Sequence, residues 1–217
     1  MLRQVYSVFY QELKLDFRDV TAIGSVLLFM IGATFISLKS FITLHGVGWV
    51  ALYWILLLFS MLNLVIQSFK ASRSASRIAQ YVYYQATAIV IGKWCYHLFY
   101  IFLSGLLLWA LMTVFFGSPI DDSMLFGIGL SLGALGLCTV FTVTALITSL
   151  VPQAHLLTSI LSLPLALPFI LLCIKITIVA SGLIQDTSIW SDVTYLAALT
   201  LFAAGLGLLL LPTLWKS

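Results

Sequence analysis

The sequence predicts an all-α protein that crosses a membrane six times as one bundle, a single domain over residues 1–217. Hydrophobic residues make up 62% of the chain and charged residues only 8%, whereas an ordinary soluble domain has about 45–50% apolar and about 25% charged residues. Several charge-free stretches reach the roughly 20 apolar residues that a spanning helix needs. These observations exclude a soluble globular enzyme, a disordered chain and a nucleic-acid-binding module.

Residues 1–19 predict an amphipathic helix with a basic polar face. Its apolar residues recur at spacings of three and four, as on one face of a helix: Leu2, Val5, Tyr6, Phe9, Leu13 and Phe17. Such a helix suits the cytoplasmic membrane surface. Two interpretations remain open, a simple membrane anchor and an elbow helix that leads steeply into the first span.

Six charge-poor stretches predict the spanning helices. They cover residues 20–38, 48–69, 94–116, 124–150, 154–178 and 193–214. Gly117 and Pro119, followed by two aspartates, predict a turn between the third and fourth spans. Pro152 fits the first turn of the fifth span.

The distribution of cations predicts that both termini are cytoplasmic. With an even number of spans, eight of the ten cations fall on the inner side: Arg3, Lys14, Arg18, Lys70, Arg73, Arg77, Lys93 and Lys216. Lys39 and Lys175 fall outside. Because loops rich in Lys and Arg stay in the cytoplasm, this bias favours the orientation over its reverse.

The longest internal cytoplasmic segment, residues 70–86, predicts a short amphipathic helix on the inner face. It carries Lys70, Arg73 and Arg77 and no acidic residue. Arg73 and Arg77 share a helix face because they are four residues apart. Tyr81 follows them in the same segment. The helix either binds lipid headgroups as an orientation signal or docks a cytoplasmic partner.

Pro164 and Pro168 lie in the middle of the fifth predicted span. Each proline removes a backbone donor and clashes with the preceding turn. Within a membrane such breaks are tolerated where protein or a cavity satisfies the freed carbonyls. The pair is therefore a candidate helix break or hinge.

Lys175 is the one formal charge inside a predicted span. Charges within a membrane are costly and mark candidate functional positions, although a lysine near the outer end of a span can reach water. Lys175 is therefore a candidate ligand-binding or ion-pairing charge, with a carboxylate of this chain or of a ligand as its natural partner.

No catalytic or metal-ligating set is recognisable. The chain lacks the sequence motifs of metalloproteases, serine hydrolases and phosphate-binding loops. Glu12 has no carboxylate partner at a helical spacing, and the adjacent Asp121 and Asp122 point apart, so neither arrangement forms an acid–base pair. The predicted topology separates the three histidines and predicts no metal cluster: His45, His97 and His155. If the protein does work that consumes energy, that energy must come from another subunit.

At three places the sequence resembles the cytochrome c maturation protein B (CcmB-like) family. These are residues 162–171 (SLPLALPFIL), residues 12–19 (ELKLDFRD) and the second span with Trp49, Trp54 and Asn63. The length, the six spans and the cytoplasmic segment after the second span also match. The resemblance extends over essentially the whole chain, and the double-proline span is its most specific part.

The resemblance implies the transmembrane permease subunit of the haem exporter ABC transporter in the bacterial inner membrane. It implies a homodimer driven by a separate cytoplasmic ATPase subunit (CcmA-like), working with a CcmC-like haem-handling protein and a CcmE-like haem chaperone. Residues 70–86 would then couple the ATPase to the spans, with Arg73, Arg77 and Tyr81 as the contact. Haem would be the cargo, and no cofactor is expected to be bound by this chain.

Two departures from the family pattern limit these implications. Many members carry acidic residues and a Gly in the cytoplasmic segment, where this chain has Ser, Arg and Tyr. The tryptophan-rich outer loop of haem-handling proteins is absent, so direct haem binding by this chain is not predicted. Two alternatives stay open: an exporter-type ABC permease for another cargo such as a lipid or a polysaccharide, and a non-transporting assembly scaffold.

Overall fold

The computed structural model describes residues 1–18, 21–41, 44, 46–71, 84–148 and 154–214. These residues form helices and no strands, which confirms the predicted all-α class. The helices are α1 (Leu2–Arg18), α2 (Thr21–Ser40), α3 (Val47–Ala71), α4 (Ala86–Phe116), α5 (Ser123–Thr148), α6 (Ala154–Ala180) and α7 (Ile189–Leu214).

Within the described ranges, five helices are long and apolar enough to cross a membrane. The qualifying stretches lie in α3 to α7: Val47–Ile66, Thr87–Phe116, Ser123–Thr148, Leu156–Ala180 and Ile189–Leu209. In α2 the corresponding apolar stretch, Gly24–Ser40, is shorter. The chain is therefore a multi-pass helical protein, and the count of six spans stays a prediction.

Helix α4 begins at Ala86, well before the predicted start of the third span at 94. The prediction placed the boundary after Lys93 because a charge normally ends an apolar span. In the structure Lys93 lies two turns inside the helix and is 2% exposed. With 31 residues, α4 is about 46 Å long at 1.5 Å per residue. It exceeds a hydrocarbon core of about 30 Å, so its first turns can lie at headgroup depth.

The centre of the bundle is an aromatic cluster on α3. Trp49, Tyr53 and Trp54 are fully buried, and the rings of Trp49 and Tyr53 stack with 5.6 Å between centroids. The Tyr53 hydroxyl donates to the Gly105 carbonyl on α4 at 3.1 Å. Trp54 Nε1 donates to Thr177 Oγ1 on α6 at 3.0 Å. These bonds satisfy the polar atoms of the Tyr53 and Trp54 rings and fix α3 against two neighbours.

Helices α5 and α6 approach closely because glycines line the face of α5 that meets α6. A Cβ at Gly133 would lie 2.6 Å from Cys173 Sγ and 3.0 Å from the Trp54 ring. At Gly129 it would lie 2.9 Å from Ile176. Small residues permit such backbone approach, so the GxxxG pattern of Gly129 and Gly133 serves packing within the chain.

The connections gather at two opposite ends of the bundle. We call one the α1 end, formed by α1, Tyr84 and the first turns of α4. The other is the loop end, formed by residues 117–122 and 181–188. At the loop end the backbone N–H groups of Asp121 and Asp122 donate to the Ala180 carbonyl at 3.0 and 2.8 Å. The two loops are thereby joined to each other.

Candidate functional site

The predicted coupling residues Arg73, Arg77 and Tyr81 lie outside the described residues. The structure does describe the chain on both sides of them. Helix α3 ends at Ala71, and the described chain resumes at Tyr84, just before α4. In the sequence, residues 72–83 follow α3 and precede Tyr84, which belongs to the α1 end.

Helix α1 packs along the beginning of α4. Val8 and Glu12 are buried on its inward side, whereas Tyr6 and Tyr10 are 68% and 55% exposed on the outward side. The apolar periodicity predicted a helix here, but it placed Tyr6 on the apolar side, whereas the structure places Tyr6 on the outward side. The sequence did not indicate that the inward side meets the protein's own α4.

A buried ion pair joins the two helices. Lys93 Nζ lies 3.3 Å from Glu12 Oε1, and the two side chains are 3% and 1% exposed. Sequence reasoning missed this pair because it searched for partners at helical spacings, and these residues are far apart in the chain. One signal was present: Glu12 lies four residues after Val8, on the apolar side of α1, where a carboxylate needs a partner.

Polar contacts continue along α4 toward α5. His97 is fully buried, and its Nδ1 lies 3.0 Å from Thr142 Oγ1. Trp94 Nε1 donates to Thr139 Oγ1 at 3.1 Å. His97 is thus a core residue with a hydrogen-bond partner. His45 and the side chain of His155 lie outside the described part of the chain.

A cavity of about 240 Å³ lies beside these contacts, between α4, α5 and α7. Its lining includes Trp94, Thr139, Thr142, Val143 and Gly207 and carries no charged side chain. Such a space can accept an apolar group. No group of three His, Cys, Asp or Glu in the described ranges could hold a metal ion.

Pro164 and Pro168 both lie inside α6, which is helical from Ala154 to Ala180. Both prolines are exposed, on the side of α6 that this chain leaves uncovered. The neighbouring Leu165 and Leu167 are also exposed, at 53% and 56%. The carbonyls that the prolines deprive of donors therefore lie on the outward side of the bundle.

Lys175 lies near the loop end and forms ion pairs within the chain. Its Nζ is 2.6 Å from Asp192 and 3.2 Å from Asp186. The Ser188 hydroxyl and backbone N–H both donate to Asp186. Those donors and the Lys175 ammonium lower the pKa of the Asp186 carboxyl to about 2. Lys175 itself is 49% exposed at the surface of the bundle.

The long apolar helices and the scarcity of charge define the class: a multi-pass helical membrane protein. Within that class, the model of the CcmB protein family matches residues 3–212. The chain therefore belongs to the CcmB family, which confirms the resemblance inferred from its sequence. No curated protein and no solved structure matches the chain.

Proposed function

We propose that this chain is the permease subunit of an ABC transporter in cytochrome c maturation. It couples ATP hydrolysis by a separate CcmA-like subunit to haem export or to release of the haem-loaded chaperone. The observation that carries the proposal is the match to the CcmB family over residues 3–212, nearly the whole chain. Five long apolar helices fit a membrane subunit of such a transporter.

In this proposal the chain is not itself a catalyst, and the ATPase acts on it through residues 70–86. Arg73, Arg77 and Tyr81 form the contact. The attachment of this segment supports the mechanism, because it connects α3 to α4. Those helices carry Tyr53 and Gly105, which are bonded to each other in the core. A displacement of the segment therefore acts on the centre of the bundle.

The proposed assembly contains two copies of this chain, the ATPase, a CcmC-like protein and a CcmE-like chaperone. It lies in the bacterial inner membrane with both termini of this chain in the cytoplasm. The cation distribution supports that orientation, and the family supports the partners. Haem is cargo here and is not assigned a binding residue on this chain.

The decisive experiment is deletion of the gene, followed by haem staining for covalently bound cytochromes. We expect covalent cytochromes to be lost and to return when the wild-type chain is supplied. Normal staining in the deletion strain would overturn the proposal and favour a permease for another cargo. Normal staining with a hydrolysis-deficient ATPase partner would instead favour a non-transporting scaffold.

The ATPase contact is tested in the same strain with Arg73→Glu combined with Arg77→Glu. We expect weaker co-purification of the ATPase subunit and loss of covalent cytochromes, because the charge of the docking face is reversed. Lys39→Glu is the matched control, since Lys39 is an exposed cation at the end of α2. Unchanged co-purification together with unchanged stimulation of ATP hydrolysis would remove these two arginines from the contact.

The hinge is tested with Pro164→Ala combined with Pro168→Ala. The variant should assemble normally but lose function, because restored backbone hydrogen bonds stiffen α6. Leu165→Ala changes an exposed neighbour without altering the backbone and should retain function. Wild-type cytochrome levels in the double-proline variant would show that α6 does not act as a hinge.

A further inference from the structure

Tyr84, the first described residue after 72–83, is bonded to two residues of α1. Its hydroxyl lies 2.9 Å from Ser7 Oγ and accepts from Gln11 Nε2 at 3.1 Å. Ser7 and Gln11 are four residues apart and so share one face of α1. Tyr84, where the described chain resumes two residues before α4, is therefore held by α1.

Helices α1 and α4 also approach each other closely at Gly92. A Cβ there would lie 2.8 Å from the Val8 side chain and 3.2 Å from the Val5 carbonyl oxygen. Val8 is fully buried. Such an approach leaves no room for relative sliding without repacking, because close-packed helix surfaces interdigitate.

The ion pair of Glu12 and Lys93 completes this contact one residue beyond Gly92. Removing two charges from water is costly, and well-packed apolar residues often stabilise a fold as much as a buried ion pair does. Stability alone is therefore a weak reason for placing a pair here. What a buried pair does supply is a directional contact that fixes how two elements are aligned.

We propose that Glu12, Lys93 and Tyr84 are positioning residues that make α1 and residues 84–93 move as one unit. This inference rests on the proposed function, since the displacing force on residues 72–83 comes from the ATPase subunit. Movement of Tyr84 is passed to α1 through Ser7 and Gln11, while the ion pair prevents α1 from turning relative to α4. Helix α1 thus transmits the displacement along the membrane surface. A simple membrane anchor would not do so.

The rigid unit is tested by distances between spin labels in the complete transporter. One label pair is placed on α1 and α4, at Tyr10→Cys and Leu103→Cys, and a reference pair on α1 and α2, at Tyr10→Cys and Leu28→Cys. All three sites are at least 49% exposed. The background carries Cys95→Ala, because Cys138 and Cys173 are buried and buried thiols are unreactive.

We expect the α1–α4 distance to stay the same with and without bound ATP, while the α1–α2 distance changes. A simple anchor predicts the reverse, because α4 would then move past a stationary α1. A change in the α1–α4 distance on ATP binding overturns the inference.

The role of the ion pair is tested with Glu12→Gln combined with Lys93→Met, which removes both charges and keeps similar side-chain volumes. We expect the α1–α4 distance distribution to broaden. Cytochrome output per ATP hydrolysed should fall about tenfold, the scale of a typical coupling free energy, with an unchanged KM for ATP. A purely structural role would lower the amount of folded complex but leave output per ATP intact.

Two further variants keep the test decisive if that one folds poorly. Tyr84→Phe removes only the hydroxyl and should lower output per ATP in the same direction. Glu12→Lys with Lys93→Glu restores a pair of reversed polarity and should recover output. If Tyr84→Phe and the Glu12→Gln, Lys93→Met variant both keep the wild-type output per ATP, the inference is refuted but the proposed function is not. Failure of the wild-type chain to bind an ATPase subunit refutes the proposed function, and the inference with it.

Discussion

The two ends of the bundle each contain a lysine paired with carboxylates, in opposite surroundings. At the α1 end, Lys93 and Glu12 are almost completely buried. At the loop end, Lys175 is 49% exposed, while its partners Asp186 and Asp192 are 21% and 12% exposed. Losing either partner of a buried pair strongly destabilises the fold, whereas an exposed pair is screened and contributes little. We therefore expect the arrangement of helices to depend more strongly on the ion pair at the α1 end than on the pairs at the loop end.

The largest expected effect comes from Lys93→Met at the α1 end. The substitution leaves Glu12 in its buried position without the cation at 3.3 Å. Removing one partner of a buried pair typically costs about 3–5 kcal/mol. Unfolding of the purified chain in detergent micelles would measure the loss. An effect no larger than that of Lys175→Met would show that burial does not distinguish the two ends.

An intermediate effect is expected from Gly133→Ala, which tests the close contact between α5 and α6. The added methyl meets Cys173 and Trp54, and overpacking typically costs about 1–3 kcal/mol. Gly127→Ala is the matched control on the same helix, because nothing lies within 4 Å of a Cβ there. Equal unfolding midpoints for the two variants would contradict close α5–α6 packing.

A smaller effect than at the α1 end is expected from Lys175→Met at the loop end, because Lys175 is half-exposed and salt screens such a pair more than a buried one. The decrease in unfolding temperature should be visible at low ionic strength. It should vanish near 1 M salt, where the screening length is about 3 Å. A large, salt-independent decrease would mean that this cluster is as structural as the one at the α1 end.

The smallest expected change is a shift in one titration at the loop end. The pKa of Asp186 is lowered from 3.8 to about 2, so its stabilising contribution is present above pH 3.8 and lost as the pH falls toward 2. Ser188→Ala removes the hydroxyl donor and should raise the pKa of Asp186 toward its ordinary value. Carbon NMR of the labelled carboxylate measures it, and an unchanged pKa would exclude the hydroxyl as the main cause.

Prediction from the sequence worked where a local pattern of residues determines the secondary structure. The apolar periodicity of residues 1–19 predicted a helix, and α1 forms over Leu2–Arg18, although Tyr6, which was placed on the apolar face, is 68% exposed. It did less well at Lys93, where charge was read as the end of a span. A lysine can lie inside an apolar helix when a distant carboxylate approaches it, and no local pattern reveals that approach.

The candidate site shows the same division. Chemistry alone indicated that Lys175 needs a carboxylate partner, but not which one. Asp186 and Asp192 reach it because the chain turns after α6 and returns as α7. Likewise, the sequence placed Pro164 and Pro168 in the middle of one helix, while only the packed bundle showed that both lie on its outward side.

The sequence alone indicates a membrane environment, a helical architecture and the family. Those follow from composition, hydropathy and short motifs, which act over one helix at a time. The tertiary structure decided that α1 lies against α4, that Glu12 meets Lys93, and that Tyr84 is held by Ser7 and Gln11. These contacts join residues more than seventy positions apart. They depend on how whole helices pack, which is a property of the assembled bundle.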